Sequence, residues 1–267
     1  MTLNITAWDW VLVAVVTAMA GLLAFFKSPA WKAFMLSLPL PFTCATLSLG
    51  QGVGISNVTG LFVLLLFTYG VRFGYYRLKL PLVPVIVLCA AGYCLLAATL
   101  NRFLPAGETA FWIAVAVVFA TGLAAFRLSP VVPEPNFRSP LSLWIKIPII
   151  ALVITVLVLI KSQIGGFMST FPMVGVISAY EARHSLHAVC RQIAMALFGM
   201  AFMMGVIHAL HRLLAPALPG LPGLALALAG GWIVYLAQMA ALTRGRWALT
   251  VPVLEPEAGA LSEGSRV

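Results

Sequence analysis

Charged residues are scarce in this chain. They make up only 9% of its 267 residues, and seven are acidic, whereas 62% of the residues are hydrophobic and the mean hydropathy is +1.06. A soluble domain carries about 25% charged residues and is about half apolar. The apolar residues fall in blocks of about 20, the length that a helix needs to span ~30 Å of hydrocarbon. The sequence therefore excludes a soluble domain and predicts an integral membrane protein.

The sequence also lacks the common catalytic and metal-binding motifs. It contains no His-Glu-x-x-His, no Gly-x-Ser-x-Gly, no P-loop and no pair of carboxylates spaced for acid-base catalysis. Its four cysteines show no Cys-x-x-Cys spacing, so neither a disulfide framework nor a zinc centre is predicted. We therefore expect a protein that is not an enzyme and that uses no metal or other cofactor. The cysteines are Cys44, Cys89, Cys94 and Cys190.

Acidic residues are too few to balance the basic ones. Sixteen Lys and Arg residues give a formal net charge of +9, which in a soluble protein would suggest nucleic-acid binding. Here the basic residues lie between the apolar blocks, where they act as topology signals. We therefore predict no nucleic-acid partner.

The apolar blocks predict an all-α, polytopic transmembrane bundle of about nine spans. With the N-terminus outside, thirteen of the Lys and Arg residues fall on one side and three on the other. Basic residues are enriched on the cytoplasmic side, so we predict a bacterial inner-membrane protein with an external N-terminus and a cytoplasmic C-terminus. The predicted spans are 8–26, 31–50, 57–76, 81–100, 109–127, 144–160, 164–182, 188–211 and 219–242.

Two similar segments lie at the ends of the first and sixth predicted spans. Residues 27–39 and 161–172 both contain Lys-Ser followed by Phe-Met-x-[Ser/Thr]-x-Pro, which aligns Pro39 with Pro172. Five spans separate the copies, so the two halves must cross the membrane in opposite directions, as inverted-topology repeats do. The predicted organisation is a first repeat at 1–104, an odd connecting helix and Pro-rich linker at 105–143, a second repeat at 144–247 and a disordered cytoplasmic tail at 248–267.

The aligned prolines lie inside the second and seventh predicted spans. Proline removes a backbone donor and opposes the carbonyl four residues earlier, so both spans are expected to break or kink. Exposed carbonyls cannot face lipid, and broken helices that meet at the midplane are typical of secondary-transporter sites. The simpler alternative is a kink compensated by a Ser or Thr hydroxyl. The predicted substrate-binding residues are Ser37, Pro39, Thr43, Ser169, Thr170 and Pro172.

The second half carries an ordered set of motif residues. It reads Lys-Ser-Gln-Ile-Gly-Gly from Lys161, then Phe171-Pro172, Ala179-Tyr180, Arg183, Ser185 and Phe198-Gly199-Met200. This order resembles the small GlpM-like bacterial membrane proteins, whose chains are about half as long as this one, and the similarity covers residues 145–242. The resemblance implies a duplicated small membrane protein whose first half is a diverged copy without the Tyr and Arg. It implies no particular biochemical activity.

The densest polar cluster is the segment 180–192, between the seventh and eighth predicted spans. Glu181, His184 and His187 recur every third residue, so on a continuous helix they would share one broad face and could ligate a metal ion. A turn at the cytoplasmic end would separate them and leave a solvated loop. We predict that Glu181, Arg183 and His184 form a gate or ion-coupling group.

These features favour a secondary-type transporter that moves a small polar or anionic solute through a midplane site between inverted repeats. Half-helix N-termini carry partial positive charge, and the spans contain few acids to hold a cation. A lipid or lipid-linked carrier is the closest alternative. A non-transporting scaffold subunit of an envelope enzyme would lack a central cavity, and a metal-dependent enzyme would bring Glu181, His184 and His187 together. The expected partners are membrane lipid, a small-molecule or lipid-linked substrate and a second copy in a homodimer.

Overall fold

The computed structural model describes residues 6–25, 35, 38–105, 107–129 and 143–244. These residues form helices joined by turns, and no strand occurs among them, which confirms the all-α prediction. The candidate residue Ser37, most of the predicted Pro-rich linker and the predicted disordered tail lie outside the described residues.

Ten α-helices follow one another along the described chain. A π-helical turn, Phe73–Arg77, continues the third helix without interruption. The helices are α1 (Ala7–Phe25), α2 (Leu40–Leu49), α3 (Ile55–Arg72), α4 (Leu82–Phe103), α5 (Glu108–Leu128), α6 (Leu143–Ile164), α7 (Phe167–Thr170), α8 (Met173–Glu181), α9 (Leu186–Leu214) and α10 (Leu221–Arg244).

Six of the described helices are long and apolar enough to cross a membrane, so the chain has the character of a multi-pass membrane protein. Shorter apolar segments cover Ala7–Met19 and Leu40–Leu49. The count of nine spans stays a prediction. The second predicted span contains the 10-residue α2, and the seventh is divided into α7 and α8 of 4 and 9 residues. The six long helices are Ile55–Arg77, Leu82–Phe103, Glu108–Leu128, Ile147–Ile164, Leu186–Leu214 and Leu221–Leu242.

The two aligned prolines start helices. Pro39 lies directly before α2 with φ −79° and ψ 33°, and Pro172 lies directly before α8 with φ −72° and ψ 56°. Proline is tolerated there because the first turn of a helix has no acceptor for its N–H groups. Both prolines are buried, so each of these short helices begins inside the bundle.

The helices α1 and α6, which occupy equivalent places in the two predicted repeats, run antiparallel. Lys161 near the end of α6 lies 2.7 Å from the carboxylate of Asp9 near the start of α1. At the other ends of these helices, Leu22 and Ile147 line the same groove. The two helices therefore cross the bundle in opposite directions, and the repeat itself stays a prediction.

Contacts between helix ends define two faces of the bundle. The first, here called the Asp9 face, is tied together by the pairs Asp9–Lys161, Asn57–Gly166, Asn101–Gln163 and Glu108–His208. The second, here called the Arg183 face, is tied together by Tyr69–Ser129, Arg191–Ser129 and Tyr76–Arg183.

The core consists of two hydrophobic clusters, and α3 contributes to both. Val63 and Phe67 of α3 pack in a cluster with α1, α2, α4, α6, α7, α8 and the start of α9, whereas Leu61 and Leu65 pack in a cluster with α5, α9, α10 and Phe42 of α2. Gly122 brings α5 close to α9, because a Cβ there would lie 2.8 Å from a backbone nitrogen of α9. Each cluster contains helices of both predicted repeats, so the halves interpenetrate.

Candidate functional site

The N-termini of the two Pro-initiated helices meet at a cavity inside the bundle. Its volume is about 100 Å³. The start of α2 contributes Pro39, Pro41 and Phe42 to the wall, and the start of α8 contributes Pro172 and Gly175. The two helix starts that the sequence places 133 residues apart, at Pro39 and Pro172, therefore border one site.

The cavity extends from this junction toward the Arg183 face. Its wall includes Val71 at the end of α3, Ala179 near the end of α8 and Leu186 at the start of α9. In the other direction, Ser169 and Thr170 of α7 lie between the cavity and the Asp9 face. The cavity is therefore placed asymmetrically between the two faces.

Most of the wall is apolar. Its hydroxyl side chains are Thr68 of α3, Ser169 and Thr170 of α7 and Ser178 of α8, and all four residues are buried. No described residue that lines the cavity carries a charged side chain. A solute in this cavity must therefore find its polar partners among hydroxyls and backbone groups.

Backbone N–H groups supply donors at the junction. The first backbone hydrogen bond to each proline carbonyl comes four residues later, from Thr43 to Pro39 at 3.0 Å and from Val176 to Pro172 at 2.8 Å. Before these donors, Pro41 has no N–H and the Met173 N–H donates to the Phe171 carbonyl at 2.7 Å, whereas the other amide groups of the two first turns have no acceptor within their own helix. Aligned peptide dipoles place about half a positive charge at a helix N-terminus. The junction therefore carries partial positive charge without a basic side chain.

Ser169 and Thr170 are held by buried side chains of α3 and α4. Asn57 donates from Nδ2 to Ser169 Oγ at 2.8 Å. The Tyr93 hydroxyl donates to the Phe167 carbonyl at 2.9 Å and lies 3.0 Å from Thr170 Oγ1. Both predicted site residues of α7 thus line the cavity and also fix α7 against the first half of the chain.

Thr43 does not line the cavity, although it was predicted as a substrate-binding residue. Its hydroxyl donates to the Pro39 carbonyl at 2.9 Å and accepts a hydrogen bond from Trp232 Nε1 at 2.8 Å. These bonds tie α2 to α10. The structure therefore brings together four of the predicted binding residues, Pro39, Ser169, Thr170 and Pro172, and places Thr43 at a helix contact.

The predicted gate residues lie at the Arg183 face. Glu181 ends α8 and is buried, with only 4% of its surface exposed, whereas His184 is exposed in the following turn. The guanidinium of Arg183 stacks over the Tyr180 ring at 4.9 Å, and its backbone carbonyl accepts a hydrogen bond from Tyr76 at 3.1 Å. The turn after α8 breaks the helical register on which the metal-site alternative depends.

The described residues contain no group of three or more His, Cys, Asp or Glu side chains arranged to hold a metal ion. His187 instead stacks on Tyr76 with the ring centres 5.4 Å apart. The metal-dependent alternative requires Glu181, His184 and His187 to converge. In the described structure they do not.

A buried ion pair lies at the Asp9 face. Asp9 is 2% exposed, and its carboxylate accepts hydrogen bonds from Lys161 Nζ at 2.7 Å, from the Thr6 N–H at 2.7 Å and from the Ser48 hydroxyl. These residues belong to α6, to the segment before α1 and to α2. The Asp9 carboxylate thus links helices of both predicted repeats.

A second charged cluster at the same face is more exposed. Glu108 at the start of α5 contacts Arg212, lies 3.2 Å from His208 Nε2 and accepts a hydrogen bond from Trp112 Nε1 at 2.8 Å. His208 also lies 2.8 Å, through Nδ1, from the Val53 carbonyl. This cluster joins α5 and α9 to the loop before α3 and leaves α1 and α6 untouched.

Thr68 and Tyr93 belong to the site but were not singled out in the sequence. Tyr93 lies in an apolar span and is buried. Because a buried tyrosine usually has a hydrogen-bond partner for its hydroxyl, its position in the sequence could have indicated a polar contact at this point. Thr68 gives a weaker signal, because its hydroxyl donates to the Leu64 carbonyl of its own helix at 2.9 Å, as isolated membrane threonines also do.

No protein-family model, curated protein sequence or solved structure matches this chain. The resemblance to the GlpM-like proteins therefore stays a prediction.

Proposed function

We propose that the protein is a secondary-type membrane transporter that moves a small polar or anionic solute through a site between two inverted repeats. The observation that carries the proposal is the cavity at the junction of α2 and α8, where two short helices begin inside the bundle. Short helices that begin at a buried site are the usual construction of such carriers.

Three relations between the halves support the inverted repeat. The equivalent helices α1 and α6 are antiparallel, and α2 and α8 both begin directly after an aligned proline. Each short helix also meets the last helix of the opposite repeat: α2 contacts α10 through Thr43 and Trp232, and the ring of Phe171 before α8 packs on Tyr93 of α4 at 5.0 Å.

The lining of the cavity supports an anionic or neutral polar cargo. Two helix N-termini border it, and none of the described lining residues is acidic, so a cation would meet partial positive charge without a counterion. An anionic group would accept hydrogen bonds from N–H groups in the first turns of α2 and α8, as it does at other helix N-termini.

The distribution of basic residues supports an orientation. Among the described residues, Arg102, Lys161 and Arg212 lie at helix ends of the Asp9 face, whereas eight basic residues lie toward the Arg183 face. The enrichment of basic residues in cytoplasmic segments favours an inner-membrane protein whose Arg183 face is cytoplasmic. The eight residues are Arg72, Arg77, Lys79, Arg127, Lys146, Arg183, Arg191 and Arg244.

A lipid or lipid-linked cargo is the second candidate. The apolar majority of the cavity wall favours it, as does a groove of about 710 Å³ between α1 and α6 that is lined by aliphatic and small residues. A scaffold without transport activity is less well supported, because a closed scaffold bundle has no need for a central cavity.

The test is solute flux in proteoliposomes with hydroxyl-deletion variants. Thr68→Val and Ser178→Ala remove cavity hydroxyls while keeping side-chain size, and we expect each to lower flux about tenfold if it loses one hydrogen bond to the solute, worth ~1.4 kcal/mol. The probes are acetate and lactate as anions, glycerol as a neutral solute and a fluorescent phospholipid for the second candidate.

The matched control is Thr121→Val. The Thr121 hydroxyl donates to the Val117 carbonyl at 2.8 Å, the same local bond that Thr68 makes to Leu64, but it lies on the exposed side of α5. Its flux should equal that of the wild type. Flux of every probe at the level of empty liposomes would contradict the transporter, and flux of the phospholipid alone would favour the second candidate.

A further inference from the structure

The hydroxyl groups that line the cavity already use their protons within the protein. Thr68 Oγ1 lies 2.9 Å from the Leu64 carbonyl oxygen, and Ser178 Oγ lies 3.2 Å from the Gly175 carbonyl oxygen. A carbonyl oxygen carries no proton, so the hydroxyl is the donor in each of these bonds. The side of each hydroxyl that is left for a solute therefore presents lone pairs, which accept hydrogen bonds.

Ser169 and Thr170 are bound in the same way. Ser169 Oγ donates to the Gly166 carbonyl at 2.8 Å. Thr170 Oγ1 lies 3.2 Å from the Phe167 carbonyl oxygen and 3.0 Å from the Tyr93 hydroxyl. Either neighbour can take the Thr170 proton, so it stays within the protein in both arrangements. All four hydroxyls of the wall thus face the cavity as hydrogen-bond acceptors.

The donors at the cavity are backbone N–H groups in the first turns of α2 and α8. On α8, Val174 and Gly175 line the cavity, and their N–H groups have no acceptor within their own helix. Each helix N-terminus is equivalent to about half a positive charge, so two of them match one negative charge. No described residue of the wall is basic, so a second negative charge would have no counterion.

The rest of the wall restricts the solute further. Apolar side chains such as Leu64, Phe67 and Val71 suit the hydrocarbon part of an organic anion, and the volume of about 100 Å³ suits a short one. An ammonium group could donate to the hydroxyl oxygens, but its charge would meet two helix N-termini and no described acidic side chain. A hydroxyl group on the solute donates without adding a charge.

We propose that the cargo of this site is a short hydroxy acid, a monoanion that carries its own hydroxyl donor. Its carboxylate accepts hydrogen bonds from N–H groups in the first turns of α2 and α8, and its hydroxyl donates to the oxygen of Thr68 or Ser178. The inference rests on the proposed function and deepens it, because it assigns a class of solute to the same cavity.

The test compares lactate with propionate, which has the same carbon chain and charge but lacks the hydroxyl. In proteoliposomes that contain the wild-type protein, we expect the lactate flux above that of empty liposomes to exceed the propionate flux about tenfold, the effect of one hydrogen bond. Alanine, in which an ammonium group replaces the hydroxyl, and glycerol, which lacks the carboxylate, should both move more slowly than lactate. This comparison needs no variant, so it does not depend on how well a variant folds.

A double variant tests whether the hydroxyl oxygens of the wall make the distinction. Combining Thr68→Val with Ser178→Ala should lower the ratio of lactate to propionate flux from about ten to about one, because the solute hydroxyl loses its acceptors. The matched control is Thr121→Val, which removes the same kind of local bond on the exposed side of α5 and should keep the wild-type ratio.

Binding gives a second readout that is independent of transport. Lactate should raise the thermal unfolding temperature of the purified protein at concentrations at which propionate does not. Equal flux and equal stabilisation by the two acids, or a wild-type ratio in the folded double variant, would overturn the hydroxy-acid assignment and leave the transporter in place. Stabilisation by lactate alone without any flux would contradict the transporter and keep the assignment. No flux and no stabilisation with any probe would contradict both.

Discussion

The two short helices α2 and α8 begin in the same way but use their hydroxyls differently. Around α8, Ser169, Thr170 and Ser178 line the cavity. On α2, Thr43 bonds to Trp232, and Ser48 bonds to Asp9. The comparison teaches that the segment from α7 to α8 supplies most of the hydroxyl groups of the cavity, whereas the hydroxyls of α2 fix the surrounding helices.

The largest expected effect on stability comes from the close contact between α3 and α7. This contact holds the segment from α7 to α8, and α2 has no equivalent contact. A Cβ on Gly60 of α3 would overlap the Thr170 hydroxyl and approach the Phe167 ring to 3.3 Å. We expect Gly60→Ala to lower the free energy of unfolding by about 2–3 kcal/mol, the upper range for overpacking a core. The measurement is thermal or denaturant unfolding in detergent.

The control for this variant is Gly92→Ala in α4, where a Cβ would meet no atom within 4 Å. It should leave stability unchanged or raise it slightly, because alanine is a better helix former than glycine. Equal stability of Gly60→Ala and Gly92→Ala would remove the evidence for tight packing between α3 and α7.

Tyr93→Phe should weaken the attachment of α7 next to the cavity. It deletes the hydroxyl that donates to the Phe167 carbonyl and contacts Thr170, but keeps the ring that packs on Phe171. We expect a loss of about 1–2 kcal/mol in the free energy of unfolding together with a lower flux, because α7 and its hydroxyls lose their anchor. Normal flux in the Tyr93→Phe variant would show that the anchoring does not position the cavity hydroxyls.

Thr43→Val tests the opposite role of α2. It removes the acceptor of the Trp232 Nε1–H bond, so we expect a loss of about 1 kcal/mol in stability. Flux per folded molecule should stay within about twofold of the wild type, because Thr43 does not border the cavity and a twofold change corresponds to only ~0.4 kcal/mol. A tenfold loss of flux in the folded variant would show that Thr43 does contribute to the binding site.

The smallest effect is expected for Thr46→Val. The Thr46 hydroxyl donates to the Phe42 carbonyl of its own helix at 2.8 Å and reaches no other element. Hydrogen bonds inside membrane proteins are worth about 0.6 kcal/mol on average, so we expect a change in unfolding free energy of about that size. A larger loss would show that α2 contributes more polar stabilisation than its contacts indicate.

The sequence was sufficient to predict the class of protein and part of the site. Long apolar blocks predicted membrane helices, and the aligned prolines predicted interruptions at Pro39 and Pro172, because both effects depend on local chemistry. Their convergence on one cavity, with Ser169 and Thr170, followed from the proposed symmetry of the repeats. The count of nine spans stays a prediction, since hydropathy does not distinguish a full crossing from the short helices α2, α7 and α8.

The features that the sequence did not reveal depend on contacts between distant residues. Asp9 and Lys161 are 152 residues apart, and nothing local to either residue indicates the other. In the sequence, the hydroxyl of Thr43 is equivalent to those of Ser169 and Thr170. In the structure it accepts a hydrogen bond from Trp232 and so belongs to a contact between helices. The predicted gate at Glu181, Arg183 and His184 stays a prediction.

The π-helical turn Phe73–Arg77 shapes the end of α3. A π-turn holds one extra residue within a helical turn and so shifts the angular positions of the side chains beyond it. Tyr76 lies in this turn, donates to the Arg183 carbonyl and stacks on His187. Deleting one residue from 73–77 would let an ordinary helix form and would rotate Tyr76 by about 100°. The π-turn therefore works as a spacer of one residue that docks the end of α3 onto the segment joining α8 and α9.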